Sequence, residues 1–143
     1  MSLHRLIYLS YARTGIGYSD LRDIMDKSEV NNAQAGITGM LCYGNGVFLQ
    51  ILEGNRKMVN QTYHRIVKDN RHHSPEIIDF RAIQCRSFPE WSMKLVQLDD
   101  KMPDNIKVLI LKFSGSQTFG PEHMTANQCF QFMRELYDLF TLA

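Results

Sequence analysis

This sequence predicts an α+β fold: two helices on one face of a mixed five-stranded sheet, followed by a pair of helices. Three observations carry the reading. Short apolar runs rich in β-formers recur at 5–12, 37–53, 76–85 and 91–98. Two segments between them carry apolar residues at helical spacing instead. Beyond residue 100 the pattern is helical only. The element order is therefore β-α-β-β-α-β-β, then α-α, and the first six elements are the split βαβ arrangement of ferredoxin-like folds.

The first strand is RLIYLSYA, 5–12, and TGIGYS is a loop. Ser19 or Asp20 is placed to cap a helix over 20–32, in which Leu21, Ile24 and Met25 share a face. Asn31 and Asn32 close that helix, and Gly36 supplies turn chemistry. In GITGMLCYGNGVFLQILEG two apolar runs flank Gly44-Asn45-Gly46, a strong hairpin signal, so the second and third strands are antiparallel neighbours. Asn55 caps a second helix reaching Lys68, with Met58, Val59, Thr62, Tyr63, Ile66 and Val67 as its apolar stripe. KDNRHHSP reads as a polar loop, 76–85 as the fourth strand, Pro89 as a break and 91–98 as the fifth strand. In the split arrangement the first and third strands are expected side by side and parallel. Pro103 opens a helix with Ile106, Leu109, Ile110 and Phe113 on one stripe. Thr125 caps a last helix carrying Phe130, Met133, Leu136, Tyr137 and Phe140. Two helices this apolar must cover either the open face of the sheet or a partner chain.

At 143 residues and 44% hydrophobic the chain suits one domain with a core and a short appendix. A net charge of +1, with both signs mixed along the chain, gives no long-range field for nucleic acid or an anionic membrane. No apolar run is long enough to span a bilayer, and MSLHRLIYLS lacks a signal-peptide core, so a cytoplasmic protein is expected. Three cysteines without CxxC spacing argue against a disulfide framework or a zinc site.

One residue stands out. In GVFLQILEG, Val47, Leu49 and Ile51 alternate with Phe48, Gln50 and Leu52, so both faces of the strand are apolar except at Gln50. Its amide needs partners, because leaving it unpaired costs about 1–3 kcal/mol. Tyr8 shares a face with Leu6 and Ser10, and its phenol can supply one if the first and third strands adjoin. By periodicity alone this is a structural Tyr–Gln bond in a core. Arg65, Lys68 and Asp69, followed by Arg71, His72 and His73, read as a solvated helix end with cations opposing the dipole. The His pair has no carboxylate or cysteine at ligand spacing. Trp91 and Met93 point to one side of the fifth strand, where core packing is their default.

Together these motifs say more. RLIYLS, the Asn31-Asn32 pair ahead of GITGML, FLQILEG, the run Arg65-x-x-Lys68-Asp69-x-x-His72-His73 and Trp91-Ser92-Met93 resemble BLUF domains, the blue-light sensors that use flavin. The resemblance covers residues 2–97, with motifs in order and at family spacing. The length and helical tail are similar to the short, stand-alone PixD-type members from cyanobacteria.

The resemblance implies a flavin-binding photosensor domain over 1–98 and a C-terminal extension over 99–143 that makes oligomer or partner contacts. FAD is the implied cofactor, with FMN able to substitute. Ile24, Phe48 and Ile66 would wall the isoalloxazine ring, and Asn31 and Asn32 would bond its polar edge. Arg65 and Asp69 would sit at the ring's rim, with Lys68 and His72 toward the ribityl–phosphate tail. Tyr8 and Gln50 are the implied photoswitch: proton-coupled electron transfer from Tyr8 re-sets the hydrogen bonds of Gln50, by rotation or tautomerisation, and reddens the flavin absorption. Trp91 or Met93 would relay that change to the C-terminal helices. The implied output is non-enzymatic: a response-regulator-like partner released in the light, phototaxis-type signalling, and a ring-like homo-oligomer, a decamer, with no nucleic acid, membrane or metal.

Two other classes are open to the residues. A catalytic flavoprotein would need a substrate base or a nicotinamide fingerprint, and neither is evident. A ferredoxin-like hydrolase of acylphosphatase type could use Asn31, Asn32 and Arg65 around an anion, but no basic loop follows the first strand. A plain interaction module would bind no flavin.

Overall fold

A computed structural model describes residues 2–99 and 101–141. Its elements are β1 (Leu3–Ala12), α1 (Tyr18–Ala35), β2 (Thr38–Gly44), β3 (Val47–Asn55), α2 (Arg56–Ile66), β4 (His72–Ala82), β5 (Leu95–Gln97), α3 (Asp104–Ser114) and α4 (Ala126–Thr141). The sheet order is β4-β1-β3-β2-β5, the mixed five-stranded α+β arrangement expected from the sequence.

One expectation about the sheet is corrected. β1 and β3 are neighbours, but antiparallel, with Tyr8 directly opposite Gln50. The cause is the hairpin. Crossing through α1 brings β2 back in the direction of β1, and the turn then reverses β3 between them. Asn45 and Gly46 both have positive φ, 50° and 73°, as a two-residue type I′ turn demands. β5 runs parallel to β2, which makes the sheet mixed.

The local signals hold with small shifts. Helix α1 starts earlier than expected, at Tyr18, and Asp20 reaches back from inside the first turn to accept from the Gly17 amide at 3.1 Å. The Asn55 side chain accepts from the Lys57 amide, as the cap predicts. Thr125 and Gln128 form a reciprocal capping box at the start of α4. His72 and His73 belong to β4 rather than to a loop. They pair with Ala12 and Tyr11, ahead of an irregularity at which Ser74 takes a φ of 54°. Regular strand 5 shrinks to three residues. The segment before it still follows the edge of β2 through Gly39 N–H to Trp91 O (3.2 Å) and Leu41 N–H to Lys94 O (2.7 Å).

The alternation of β3 divides the molecule. Val47, Leu49 and Ile51 join Ile7, Leu9, Met40 and Cys42 in one core, which α3 and α4 cover with Ile110, Phe132, Met133 and Leu136. The open face of the sheet is thus what the apolar C-terminal helices bury. Phe119, from the connection between them, seals the end of this core against Phe132. Phe48 and Leu52 join Leu6, Tyr8, Leu41 and Met93 in the second core, under α1 and α2.

Candidate functional site

Between α1, α2 and the sheet lies a cleft of about 310 Å³. Tyr8, Leu41, Phe48 and Gln50 form its floor. Ile24 and Asn31 reach it from α1, and Arg65 and Ile66 from α2. Lys68, Asp69, Arg71 and His72 close its outer end, and Lys27 and Ser28 the side of α1. Helical spacing explains the α1 wall, since 24, 27, 28 and 31 share one face. That pattern was available in the sequence. Leu41 and Arg71 became legible only with β2 and β4 in place.

Because Tyr8 and Gln50 are cross-strand partners, their side chains emerge on one face as direct neighbours. Both are 2% exposed. The Tyr8 hydroxyl donates to Gln50 Oε1. Burial first, then the nearby Tyr63 and Asp69, pushes the Tyr8 phenol well above its ordinary value, so it stays protonated and remains a donor. Gln50 Nε2 in turn donates to Met93 Sδ at 3.4 Å. The second N–H of the amide has no protein partner among the described residues, and Gln50 borders the cleft.

Trp91 and Met93 were expected on one side of a strand. They point to opposite faces, because the 91–94 segment is irregular and lacks the two-residue alternation. Met93 is buried beneath the α1/α2 layer, whereas Trp91 packs edge-on against Tyr137 of α4 with ring centroids 5.1 Å apart. Asn31 and Asn32 also part company. Asn31 borders the cleft, while the buried Asn32 donates through Nδ2 to the Ser92 carbonyl at 3.0 Å and ties α1 to the segment bearing Met93.

The rim is an ion-pair network. Arg71 grips Asp69 with Nη2–Oδ2 at 2.6 Å and reaches Asp23 at 2.8 Å, and Asp23 also pairs with Lys27 at 3.0 Å. Arg71 holds the Asp69 carboxyl below its usual range. Four cations (Lys27, Arg65, Lys68 and Arg71) thus face two carboxylates, and the rim carries a positive surplus suited to phosphate. His72 is a joint below this rim. Its Nε2 lies 2.7 Å from the Ile66 carbonyl, which can only accept, so Nε2 carries the proton. Nδ1 lies 2.7 Å from the Ser10 hydroxyl. Apolar walls over a polar floor, with a cationic rim, fit a planar heteroaromatic ring carrying a phosphorylated tail. Among the described residues no group of His, Cys, Asp and Glu could hold a metal ion, and no helix is long and apolar enough to cross a membrane.

Residues 3–94 match the family described as BLUF, sensors of blue-light using FAD. The photoactivated adenylate cyclase subunit beta of Euglena longa is 32% identical over 126 residues, spanning 84% of this chain but 15% of that protein. This chain therefore corresponds to a small part of such cyclases. The blue light- and temperature-regulated antirepressor BluF of Escherichia coli is 28% identical over 96 residues, 67% of this chain and 24% of that protein. Among solved structures, the photo-activated state of BlsA superposes with a TM-score of 0.83 at 33% identity over 94% of both chains. The dark state of BlrB, a BLUF protein, gives 0.76 at 29% identity, covering 94% of this chain and 97% of its own.

Proposed function

The chain belongs to the BLUF family of blue-light sensors using FAD, and from that premise we propose that it is a light-controlled binding switch rather than an enzyme. Residues 1–98 are the sensor and 99–143 its output extension. The observation that carries this reading is the Gln50 amide, held between the Tyr8 hydroxyl and the Met93 sulfur at the floor of the cleft.

Ile24, Phe48 and Ile66 would wall the ring of FAD and Asn31 would bond its polar edge, while Asn32 holds the neighbouring backbone at Ser92. Arg65, Lys68, Asp69 and His72 order the outer end, joined by Lys27 and Arg71 at the phosphates. FMN fits the same inner contacts. Bound there, FAD would supply blue-light absorption and, once excited, a strong one-electron oxidant.

Tyr8 is the donor. Its electron would pass to the excited flavin and its phenolic proton along the bond to Gln50 Oε1, and both would return to Tyr8 once the amide has been re-set. Rotation of the amide then exchanges its accepting and donating ends. With Oε1 turned toward Met93 the contact weakens, because a thioether has no hydrogen to donate. Tautomerisation reaches a similar result by changing which atom carries hydrogen. Either way Met93 would lose its hold, and the 91–94 segment would become free to shift Trp91 against Tyr137 on α4. The output is contact with a protein partner, of response-regulator type if the PixD likeness extends so far, in phototaxis-type signalling from a homo-oligomer.

The test is spectroscopic. Purified protein is expected to be yellow, to shift its flavin absorption to longer wavelength in blue light, and to revert in darkness. Tyr8→Phe and Gln50→Leu are expected to keep flavin and lose the shift. A normal shift in either variant refutes the switch, and a protein that stays colourless after flavin reconstitution refutes the sensor.

A further inference from the structure

The apolar faces of α3 and α4 are turned onto the sheet, with Val108 and Leu111 of α3 left in solvent, so contact between copies of the chain has more than one surface open to it. β4 offers one. It is the outermost strand, pairs with β1 along one edge only, and is exposed over most of its 11 residues. Two large apolar side chains on it lie open to solvent, Ile77 at 52% and Phe80 at 40%.

We infer that β4 is a dimerisation strand that pairs antiparallel with β4 of a second copy about a two-fold axis. The register follows from the side chains. Ile77 and Phe80 stand three residues apart, which in a regular strand would place them on opposite faces. An irregularity between them brings both to the α2 side, Ile77 opposite Tyr8 and Phe80 opposite Leu6. On the other side Glu76 stands opposite Leu9 and Arg81 opposite Arg5. Setting Ile77 against Phe80 of the second copy therefore sets Glu76 against that copy's Arg81. The two-fold repeats both matches. A slip by one residue in either direction would set side chains of opposite faces against one another and break both matches. Arg81 already pairs with Asp79 at 2.7 Å, whereas Glu76 has no ion pair among the described residues and gains one across the axis. Edge strands are commonly protected by charge, but here the charges are of both signs and complement one another under the two-fold. One added strand pair buries a modest area, so the dimer is reversible.

Sedimentation of the flavin-loaded full chain in the dark tests this directly. A shift from monomer to dimer is expected between about 5 μM and about 1 mM. Phe80→Asp is expected to stay monomeric throughout, and Arg81→Glu to weaken association by about tenfold. Adding Glu76→Lys to Arg81→Glu is expected to restore it, a rescue that a general loss of fold could not produce. Far-ultraviolet circular dichroism and the flavin spectrum verify that each variant is folded. A wild-type chain that is monomeric across the range overturns the proposal. So does a Phe80→Asp variant that associates normally, or a charge exchange that fails to rescue. None of these outcomes depends on the light response.

Discussion

The two faces of the sheet are built from the same strands, one residue out of phase, and they do different work. The face under α3 and α4 is dry: Ile7, Leu9, Met40, Cys42, Leu49 and Ile51 meet Phe132, Met133 and Leu136, each 2% exposed or less. The face under α1 and α2 holds Tyr8, Ser10, Gln50 and His72 on its strands and borders the cleft. Stability is concentrated on the first face, and the proposed switch lies on the second. A dry, close-packed layer has one low-energy arrangement. A layer whose contacts include hydrogen-bonded polar groups can have two of similar energy.

The largest test of this division is Phe132→Ala, which opens a cavity in the dry face and is expected to cost about 3–5 kcal/mol in denaturant unfolding. A loss below about 1 kcal/mol would break the comparison. The thiols of that face provide a second test. Burial pushes Cys42 up from its ordinary 9.0, and Cys129 up to about 12. The unfolded chain releases these protons first, so their stabilisation is complete below about pH 9 and is lost as pH rises toward 12. The slope is about 1.4 kcal/mol per pH unit for each thiol, and Cys129→Ala should remove one proton's share of it in alkaline unfolding curves.

On the cleft face the effects on stability shrink while those on function grow. Gln50→Leu orphans the Tyr8 hydroxyl and is expected to cost about 1 kcal/mol in dark unfolding, yet to abolish the light-induced shift. A cost near that of Phe132→Ala would show that Gln50 is a core residue first. The smallest effect has the opposite sign. Thr62 Oγ1 is buried without a hydrogen-bond partner among the described residues. Thr62→Val replaces an unsatisfied hydroxyl by an isosteric methyl and should leave stability unchanged or raise it by about 0.5–1 kcal/mol. A destabilised variant would mean that the hydroxyl has a partner in solution.

Much of this was legible one segment at a time. Hairpin chemistry at Asn45-Gly46, caps at Asn55 and Thr125, and the period-two alternation around Gln50 are local signals, set by backbone sterics and hydrogen bonding within a few residues. The same locality hid the first residues of β4, since His72 and His73 are polar and strand formation at a sheet edge needs only the hydrogen bonds that β1 supplies. Long-range matters stayed hidden. That Trp91 and Met93 separate to opposite faces depends on how an irregular segment lies along β2, and no periodicity encodes it.

The sequence by itself determined that Gln50 is an amide among apolar neighbours needing partners, because alternation and desolvation leave no other reading. Only the tertiary structure decided who those partners are. Antiparallel pairing of β1 with β3 sets Tyr8 directly across from Gln50, and the path of 91–94 along β2 delivers Met93 to the other end of the amide. Burial is a property of one strand's pattern, whereas a donor on one side and a thioether on the other require three segments distant in sequence to meet at one point.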